Sequence, residues 1–331
     1  MTDRGLYGFG DFGLGLWGLR DAGGAYGAGF AVLGDDPKGA SCSALEEALA
    51  KAGRPGETPE LVWIHATPGD EEAVLTGLDS VLGCHVPIAG GSTADEAIAG
   101  EWSCFTSDRQ GGRAVSVAVM FPSTSVAYAF QSGYSPTGKS GIVTRADGRT
   151  IIEIDSEPAA AVYNRWTNGV IDGACANGGN ILTLTTLHPL GREVGRIGEG
   201  SSAIPYYNLL HPECVTENRG LTIFARASEG ERLHLMTGST QSLIGRGGRV
   251  VADALRNGSL DESQIAGGLV VFCAGCMLTI GEQMSQVVEV FGRALKGRPF
   301  LGGFTFGEQG CFVGGENRHG NLMISVALFA A

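Results

Sequence analysis

Two glycine-rich segments are the first places where this chain could do chemistry. The pattern P-x-x-G-G-x-T-x-x-E occurs over residues 87–96 and again over residues 299–308. Consecutive glycines let backbone N–H groups converge on an anion, and neighbouring hydroxyl groups add donors. The alternative is that the glycines only permit tight turns. The pattern predicts a ligand site formed by Gly90, Gly91, Ser92 and Thr93 of the first copy and Gly302, Gly303, Phe304 and Thr305 of the second.

A pair of glutamates occupies the last position of the two copies. Glu96 and Glu308 are therefore candidates for an acid–base pair or for binding an amine, if the two segments face each other. The alternative, which we favour, is that each carboxylate caps its own loop or forms an ion pair there.

A cysteine and a histidine end two apolar runs that precede the glycine segments. Cys273 and His65 are predicted to be equivalent, and a Cys–His pair is the arrangement that generates a thiolate nucleophile. Cys273 and Cys276 also form a single C-x-x-C, which disfavours a four-thiolate zinc site. We expect no thioredoxin-type strand–helix context around it and predict no metal site. A buried cysteine at a strand end is the ordinary alternative.

The elements that position these residues repeat along the chain. Residues 61–66 and 269–274 are apolar runs typical of buried strands, and each is followed by a segment with helical periodicity, 71–82 and 283–295. Alternating strands, 114–121 and 322–329, follow the glycine segments. Between the copies, residues 151–155, 221–225 and 233–236 are predicted strands, and residues 159–166 and 241–255 are predicted helices.

This order of elements predicts the fold class. We expect an α/β or α+β fold with two pseudo-symmetric halves, in which mixed β-sheets are flanked by helices. The run of glycine and aromatic residues from Gly5 to Trp17 predicts either an edge strand of the chain's own sheet or an arm exchanged in a homodimer.

Composition excludes several classes of protein. The 331 residues carry a net charge of −12 without a basic block, which argues against binding to nucleic acid. The start of the chain lacks the pattern of a signal peptide, and the apolar stretch 267–281 is too short and glycine-rich to span a membrane. The eight cysteines have no disulfide-framework spacing. We therefore expect a cytoplasmic protein with no membrane partner.

Several segments resemble FIST domain proteins. Gly91-Ser92-Thr93 lies where that family has G-C-S-T, and residues 303–310 resemble its G-F-Y-T-Y-G-E-I-G motif. Residues 133–138, 143–146, 151–158, 188–191 and 221–236 match further family segments in the same order. Two departures are Gly91, where the family has cysteine, and Cys276, where it has arginine.

The resemblance implies a domain arrangement and a function. It implies an N-terminal arm over residues 1–25, a FIST N-terminal-like half over 26–215 and a FIST C-terminal-like half over 216–331. FIST domains are regarded as sensory modules that bind small ligands, amino acids among them. We therefore expect a stand-alone sensory protein that binds a small polar or anionic metabolite in a cleft between its halves and acts on a signalling partner.

Two alternatives remain open. The first is an enzyme, a hydrolase or lyase acting on a small carboxylate or carbonyl compound, with Cys273 or Cys276 as nucleophile and His65, Glu96 or Glu308 as acid–base groups. The second is a haem-based sensor of nitric oxide, which only the family resemblance suggests. His188 is then the candidate axial ligand, with His211 as the alternative, and without C-x-x-C-H the haem would be held non-covalently. We otherwise predict no cofactor.

Overall fold

The computed structural model describes residues 1–6, 13–83, 85–197, 200 and 203–331, which form a mixed α/β structure. The helices are α1 (Pro37–Lys51), α2 (Glu71–Leu82), α3 (Ala159–Trp166), α4 (Asp172–Asn177), α5 (Leu182–Thr185), α6 (Thr240–Asn257), α7 (Ala274–Ile280) and α8 (Met284–Ala294). The strands are β1 (Ala25–Val32), β2 (Leu61–Ala66), β3 (Ile88–Ser92), β4 (Cys104–Phe105), β5 (Gln110–Gly111), β6 (Ala114–Phe121), β7 (Val126–Gln131), β8 (Ser135–Asp147), β9 (Thr150–Ile154), β10 (Glu157–Pro158), β11 (Gly179–Asn180), β12 (Leu190–Ile197), β13 (Ile204–Leu210), β14 (Pro212–Val215), β15 (Leu221–Ile223), β16 (Arg232–Thr237), β17 (Ile265–Cys273), β18 (Phe300–Thr305), β19 (Glu308–Cys311), β20 (Asn317–Gly320) and β21 (Ile324–Ala330).

These elements fall into two compact units. The first comprises residues 1–130, 244–319 and 324–331, and the second comprises residues 131–243 and 320–323. The first unit contains a six-stranded sheet in the order β1-β6-β2-β3-β19-β20 and a four-stranded sheet in the order β18-β17-β21-β7. The second contains the sheet β11-β14-β15-β9-β8-β16-β12-β13, with β10 beside β9.

The predicted duplication is confirmed by strand topology, and both copies lie in the first unit. The order β1-β6-β2-β3 in one sheet matches β7-β21-β17-β18 in the other. The last pair in this order is parallel in each copy, β2 with β3 and β17 with β18. The next neighbour is antiparallel in each, β6 beside β2 and β21 beside β17. Residues 131–243 of the second unit are therefore inserted, in sequence, between the first strand and first helix of the second copy.

Burial explains why these segments form these elements. In the run Leu61–Ala66 one face is fully buried and the other, which carries Trp63 and His65, is partly buried, as expected for a strand covered by helices on one side and by a second sheet on the other. One face of β2 packs in a core with α1 and α2, to which Leu45, Val74 and Leu78 contribute. A smaller cluster joins the inner faces of the two sheets and includes Leu61, Ala89, Ala327 and Phe329.

The strand register corrects one predicted equivalence. Gly91 pairs with His65 in the first sheet, whereas Gly303 pairs with Val271 in the second. Because Gly91 and Gly303 hold the same position in the repeated motif, the counterpart of His65 is Val271 and not Cys273. The predicted equivalence matched the ends of the two strands and was wrong by two residues, because β17, with nine residues, is longer than the six-residue β2.

Parts of the N-terminal segment pack on the chain's own sheets, while Leu14 and Leu16 are exposed. Thr2 forms an isolated bridge with Leu301 of β18, and the Gly302 N–H donates to the Met1 carbonyl at 2.7 Å. The Trp17 ring packs 5.2 Å from that of Phe329. Residues 7–12 of the predicted arm lie outside the described residues. A homodimer formed by exchange of this arm stays a prediction.

Of the helices in the described part of the chain, none has both the length and the apolar character needed to cross a membrane. The predicted boundaries at 25/26 and 215/216 do not coincide with the limits of the two compact units, which divide at 130/131 and 243/244.

Candidate functional site

The two glycine segments lie side by side in the first unit. Gly91 and Gly90 of β3 pair with Glu308 and Gln309 of β19, which follows the second glycine segment. The Ser92 N–H donates to the Gly307 carbonyl at 2.8 Å, and the Phe306 N–H donates to the Ser92 carbonyl at 3.2 Å. The carboxyl ends of β3 and β18, each of which is the parallel partner of another strand, therefore meet. Open α/β sheets bind ligands at the carboxyl ends of their parallel strands.

The four glycines differ in what surrounds them. A Cβ on Gly91 would lie 2.3 Å from Thr305 Cγ2, and one on Gly90 would lie 1.9 Å from the Ile64 carbonyl oxygen. Gly302 is covered by the Met1 side chain, which a Cβ would meet at 2.7 Å. Gly303 is exposed, and no atom lies within 4 Å of the position its Cβ would take. Of these four positions, Gly303 alone borders open space.

The predicted hydroxyl donors are already engaged inside the protein. Ser92 Oγ donates to Glu71 Oε1 at 2.8 Å, and Thr305 Oγ1 donates to Glu308 Oε1 at 2.8 Å. Both carboxylates are buried, at 2 % and 0 % exposure. Thr93 is partly exposed, and its N–H donates to the Ala66 carbonyl. The hydroxyl groups of Ser92 and Thr305 therefore stabilise the two buried carboxylates, each of which gains a strong hydrogen bond.

Sequence reasoning missed part of this polar cluster. Glu71, at the start of α2, also accepts the Gly69 N–H at 2.9 Å through Oε2. Gln309 Nε2 lies 3.2 Å from Ser92 Oγ and 3.1 Å from His319 Nδ1, and both side chains are buried. The only signal in the sequence for Glu71 was its position at the start of the helix that follows β2, where an acidic side chain can face the ends of neighbouring strands.

Glu96 and Glu308 do not share an environment. Glu96 lies exposed in the loop after β3, whereas Glu308 is fully buried in β19. Phe304 packs edge-to-face on Phe272, with ring centroids 6.2 Å apart. Phe304 therefore helps to build the core of the second copy.

His65 is held by two neighbours. Its Nε2 accepts the indole N–H of Trp63 at 3.0 Å, so Nδ1 carries the proton and faces the Gly91 carbonyl at 3.3 Å. Burial lowers the pKa of His65, because the charged ring would lose its hydration. The ring is therefore neutral.

Cys273 is 5 % exposed at the end of β17. Burial raises the pKa of its thiol well above the usual value, and the Cys276 thiol and the charge of Glu308 raise it further. A thiolate–imidazolium pair requires a lowered cysteine pKa and a raised histidine pKa. Both shifts run in the opposite direction here, so the surroundings favour neutral forms, and the enzyme alternative gains no support from this geometry.

The structure corrects the expected context of the C-x-x-C. Cys273 is the last residue of β17 and Cys276 lies in the first turn of α7, so the motif does lie at a strand–helix junction. The apolar run 267–281 contains neither a proline nor a polar N-cap at this point, so its change from strand to helix was not visible in the sequence.

The candidate haem ligand lies outside two cavities of the molecule. His188 is half-buried, and its backbone carbonyl accepts the Tyr163 hydroxyl at 2.7 Å. The two cavities, of about 410 and 450 Å³, have no histidine in their linings and so offer no histidine as axial ligand for a haem iron. Among the described residues, no group of three or more His, Cys, Asp or Glu is placed to hold a metal ion.

Comparison with known protein families gives two adjacent matches. A FIST N domain matches residues 11–157, and a FIST C domain matches residues 159–311. Together these matches cover most of the chain, and they meet at residue 158 rather than at the predicted boundary 215/216. No curated protein matches the sequence.

Proposed function

Because the chain belongs to the FIST family, whose domains are associated with sensing and signal transduction through bound ligands, we propose that it is a sensory protein for a small polar metabolite. The site lies where the two glycine segments meet in the first unit. The single observation that carries this proposal is the convergence of the carboxyl ends of β3 and β18, with Gly303 exposed beside them. Such junctions between strand ends are common ligand sites.

The contacts described above also bear on the ligand class. The Ser92 and Thr305 hydroxyl groups donate their hydrogens to buried carboxylates, so they do not serve as donors to an anion. Gly303 is exposed at the junction, and His65 and Trp63 are partly exposed, with Trp63 also packed against the cluster between the two sheets, whereas the Thr93 hydroxyl oxygen is buried. A polar metabolite that offers a flat or apolar face to Trp63 suits this set better than a small inorganic anion.

The proposal is tested by filling the open position. In Gly303→Leu the new side chain enters open space, so the fold should persist while ligand binding is lost. The matched control is Gly173→Leu, since Gly173 is an exposed glycine of α4 with nothing within 4 Å of its Cβ position. Native mass spectrometry of the proteins as purified, and thermal unfolding against a panel of neutral and anionic polar metabolites, report binding.

The expected result is a small-molecule adduct, or a rise in melting temperature with one metabolite class, in the wild type and Gly173→Leu but not in Gly303→Leu. Equal binding by Gly303→Leu, or no binding to any member of the panel, contradicts the proposal. A signalling partner, a cytoplasmic location and a homodimer remain predictions that this experiment leaves aside.

A further inference from the structure

The C-x-x-C pair lies in a structural setting that the ligand site does not use. Cys273 ends β17, and α7 and α8 connect this strand to β18, which runs parallel to it. The pair is therefore part of a strand–helix–strand unit. In that setting a C-x-x-C is typical of a redox-active dithiol.

The backbone holds the two cysteines at disulfide distance. Residues three apart in the first turn of a helix have Cα atoms about 5 Å apart, from the helical rise and radius. Disulfides span Cα separations of about 4.4–6.8 Å. Neither cysteine is in a disulfide, and the Cys276 thiol is a hydrogen-bonding neighbour of Cys273. A bond between them needs no movement of β17 or β18.

A buried carboxylate stands next to the pair. Thr305 is the strand partner of Cys273, and its hydroxyl donates to Glu308. The charge of Glu308 reaches Cys273, since it contributes to the raised pKa of that thiol. Two buried groups that oppose each other's ionisation tend to share one negative charge. Glu308 is therefore placed to take the proton that Cys273 gives up.

We propose that Cys273 and Cys276 form a dithiol that hydrogen peroxide oxidises to a reversible disulfide. Cys273 reacts first, because it is 5 % exposed and Cys276 is fully buried. Its proton passes to Glu308, and its sulfur attacks one peroxide oxygen. The O–O bond breaks, and hydroxide takes the proton back from Glu308 and leaves as water, so that a sulfenic acid remains.

Cys276 completes the reaction. Its sulfur attacks the Cys273 sulfur, the S–S bond forms and the S–O bond breaks, and the hydroxide leaves as a second water with the Cys276 proton. One peroxide thus oxidises two thiols to one disulfide and gives two waters. A dithiol reductant such as dithiothreitol reverses the step by thiol–disulfide exchange.

Burial determines which oxidants and which cysteines take part. A thiol that is 5 % exposed admits a small oxidant and excludes a bulky one, and its high pKa makes the reaction slow. Cys311 is a matched comparison, because it is 3 % exposed and burial raises its pKa to about 11. Its side-chain partner in that environment is the Tyr128 hydroxyl rather than a second thiol.

The experiment treats the full-length protein with hydrogen peroxide, blocks remaining thiols by alkylation and maps the peptides by mass. We expect a Cys273–Cys276 disulfide that dithiothreitol removes and that forms about tenfold or more faster than Cys311 is oxidised. In Cys276→Ser, Cys273 should stop at the sulfenic acid and react with dimedone.

Glu308→Gln tests the proton acceptor, because the amide oxygen still accepts the Thr305 hydroxyl but takes up no proton. Oxidation should slow by about tenfold. If Cys273 and Cys276 stay reduced in the folded wild type, or are oxidised no faster than Cys311, the dithiol is contradicted. If Glu308→Gln reacts at the wild-type rate, the role of Glu308 is contradicted.

Discussion

At the scale of single residues, burial decides the protonation of His65, His211 and Cys273 more than partner charges do. His65, His211 and Cys273 all have pKa values shifted towards the neutral form, with desolvation as the largest cause. In their neutral forms, these side chains form hydrogen bonds with backbone carbonyls and with neighbouring side chains. The lowered pKa values of the two histidines make acid conditions costly for the fold, whereas the raised pKa of Cys273 makes alkaline conditions costly.

His211 gives a direct test of that cost. It is 3 % exposed, its Nε2 lies 3.1 Å from the Leu182 carbonyl, and burial lowers its pKa from 6.5 to about 4. Between these values the unfolded state binds a proton that the folded state does not. Stability is therefore lost as the pH falls from 6.5 towards 4, by about 2 kcal/mol at pH 4.5.

The measurement is the free energy of unfolding in urea at pH 7 and pH 4.5. His211→Gln keeps a donor for the Leu182 carbonyl but does not titrate, so it should lose about 2 kcal/mol less than the wild type between the two pH values. His85→Gln, at an exposed position, should behave as the wild type. An unchanged pH dependence in His211→Gln contradicts the assignment.

At the scale of elements, close approach of backbones fixes where glycine is required. In β1, a Cβ on Gly29 would lie 1.9 Å from the Ala44 carbonyl oxygen of α1. The helix therefore lies directly on the strand, and its carbonyl leaves no room for a methyl group. Gly303 in β18 is also a strand glycine but faces open space.

This contrast yields a matched pair of substitutions. Gly29→Ala should lower the free energy of unfolding by about 1–3 kcal/mol, because α1 must move away from β1 to admit the methyl group. Gly303→Ala should change it by less than about 0.5 kcal/mol. Chemical denaturation measures both. Equal stability of the two variants contradicts the packing described here.

Some elements of the fold could be predicted from periodicity alone, whereas others, such as α1, β1 and β8, were not predicted. The predicted strands 61–66 and 114–121 and the helices 71–82 and 159–166 have the observed bounds. Apolar spacing specifies these segments locally. The pairing of β3 with β19, which joins the two sheets' glycine segments, depends on contacts between residues about 217 positions apart and leaves no local pattern.

The candidate site was therefore predicted only in part. The repeated motif indicated Gly91, Thr305 and Glu308, which the structure does bring together. It gave no indication of Glu71 or His319, whose roles arise from burial. It also could not show that Met1 covers Gly302, since that contact depends on a chain segment far away in sequence.

At the scale of the whole molecule, the last strands close both sheets of the first unit. β20 ends the six-stranded sheet, and β21 lies between β17 and β7 in the four-stranded sheet. Both strands follow residue 311, where the match to the FIST C domain ends. The folded unit thus needs residues beyond the family match.

A truncation tests this requirement. A chain that ends after Cys311 keeps both family matches but lacks β21, so β7 and β17 lose their common neighbour and the inner-sheet cluster loses Ala327 and Phe329. We expect no cooperative thermal unfolding by circular dichroism. Removal of the exposed Ala331 alone should leave the transition intact. A cooperative transition in the shorter chain contradicts the prediction.

The position of β7 has a consequence during protein synthesis. Its only neighbour in the four-stranded sheet, among the described strands, is β21, which begins 193 residues after β7 ends. A ribosome that adds about 5–20 residues per second needs about 10–40 s to make that stretch. Throughout this interval the apolar edge of β7 has no sheet partner. During this interval β7 of the nascent chain is therefore available to pair with a strand of another copy.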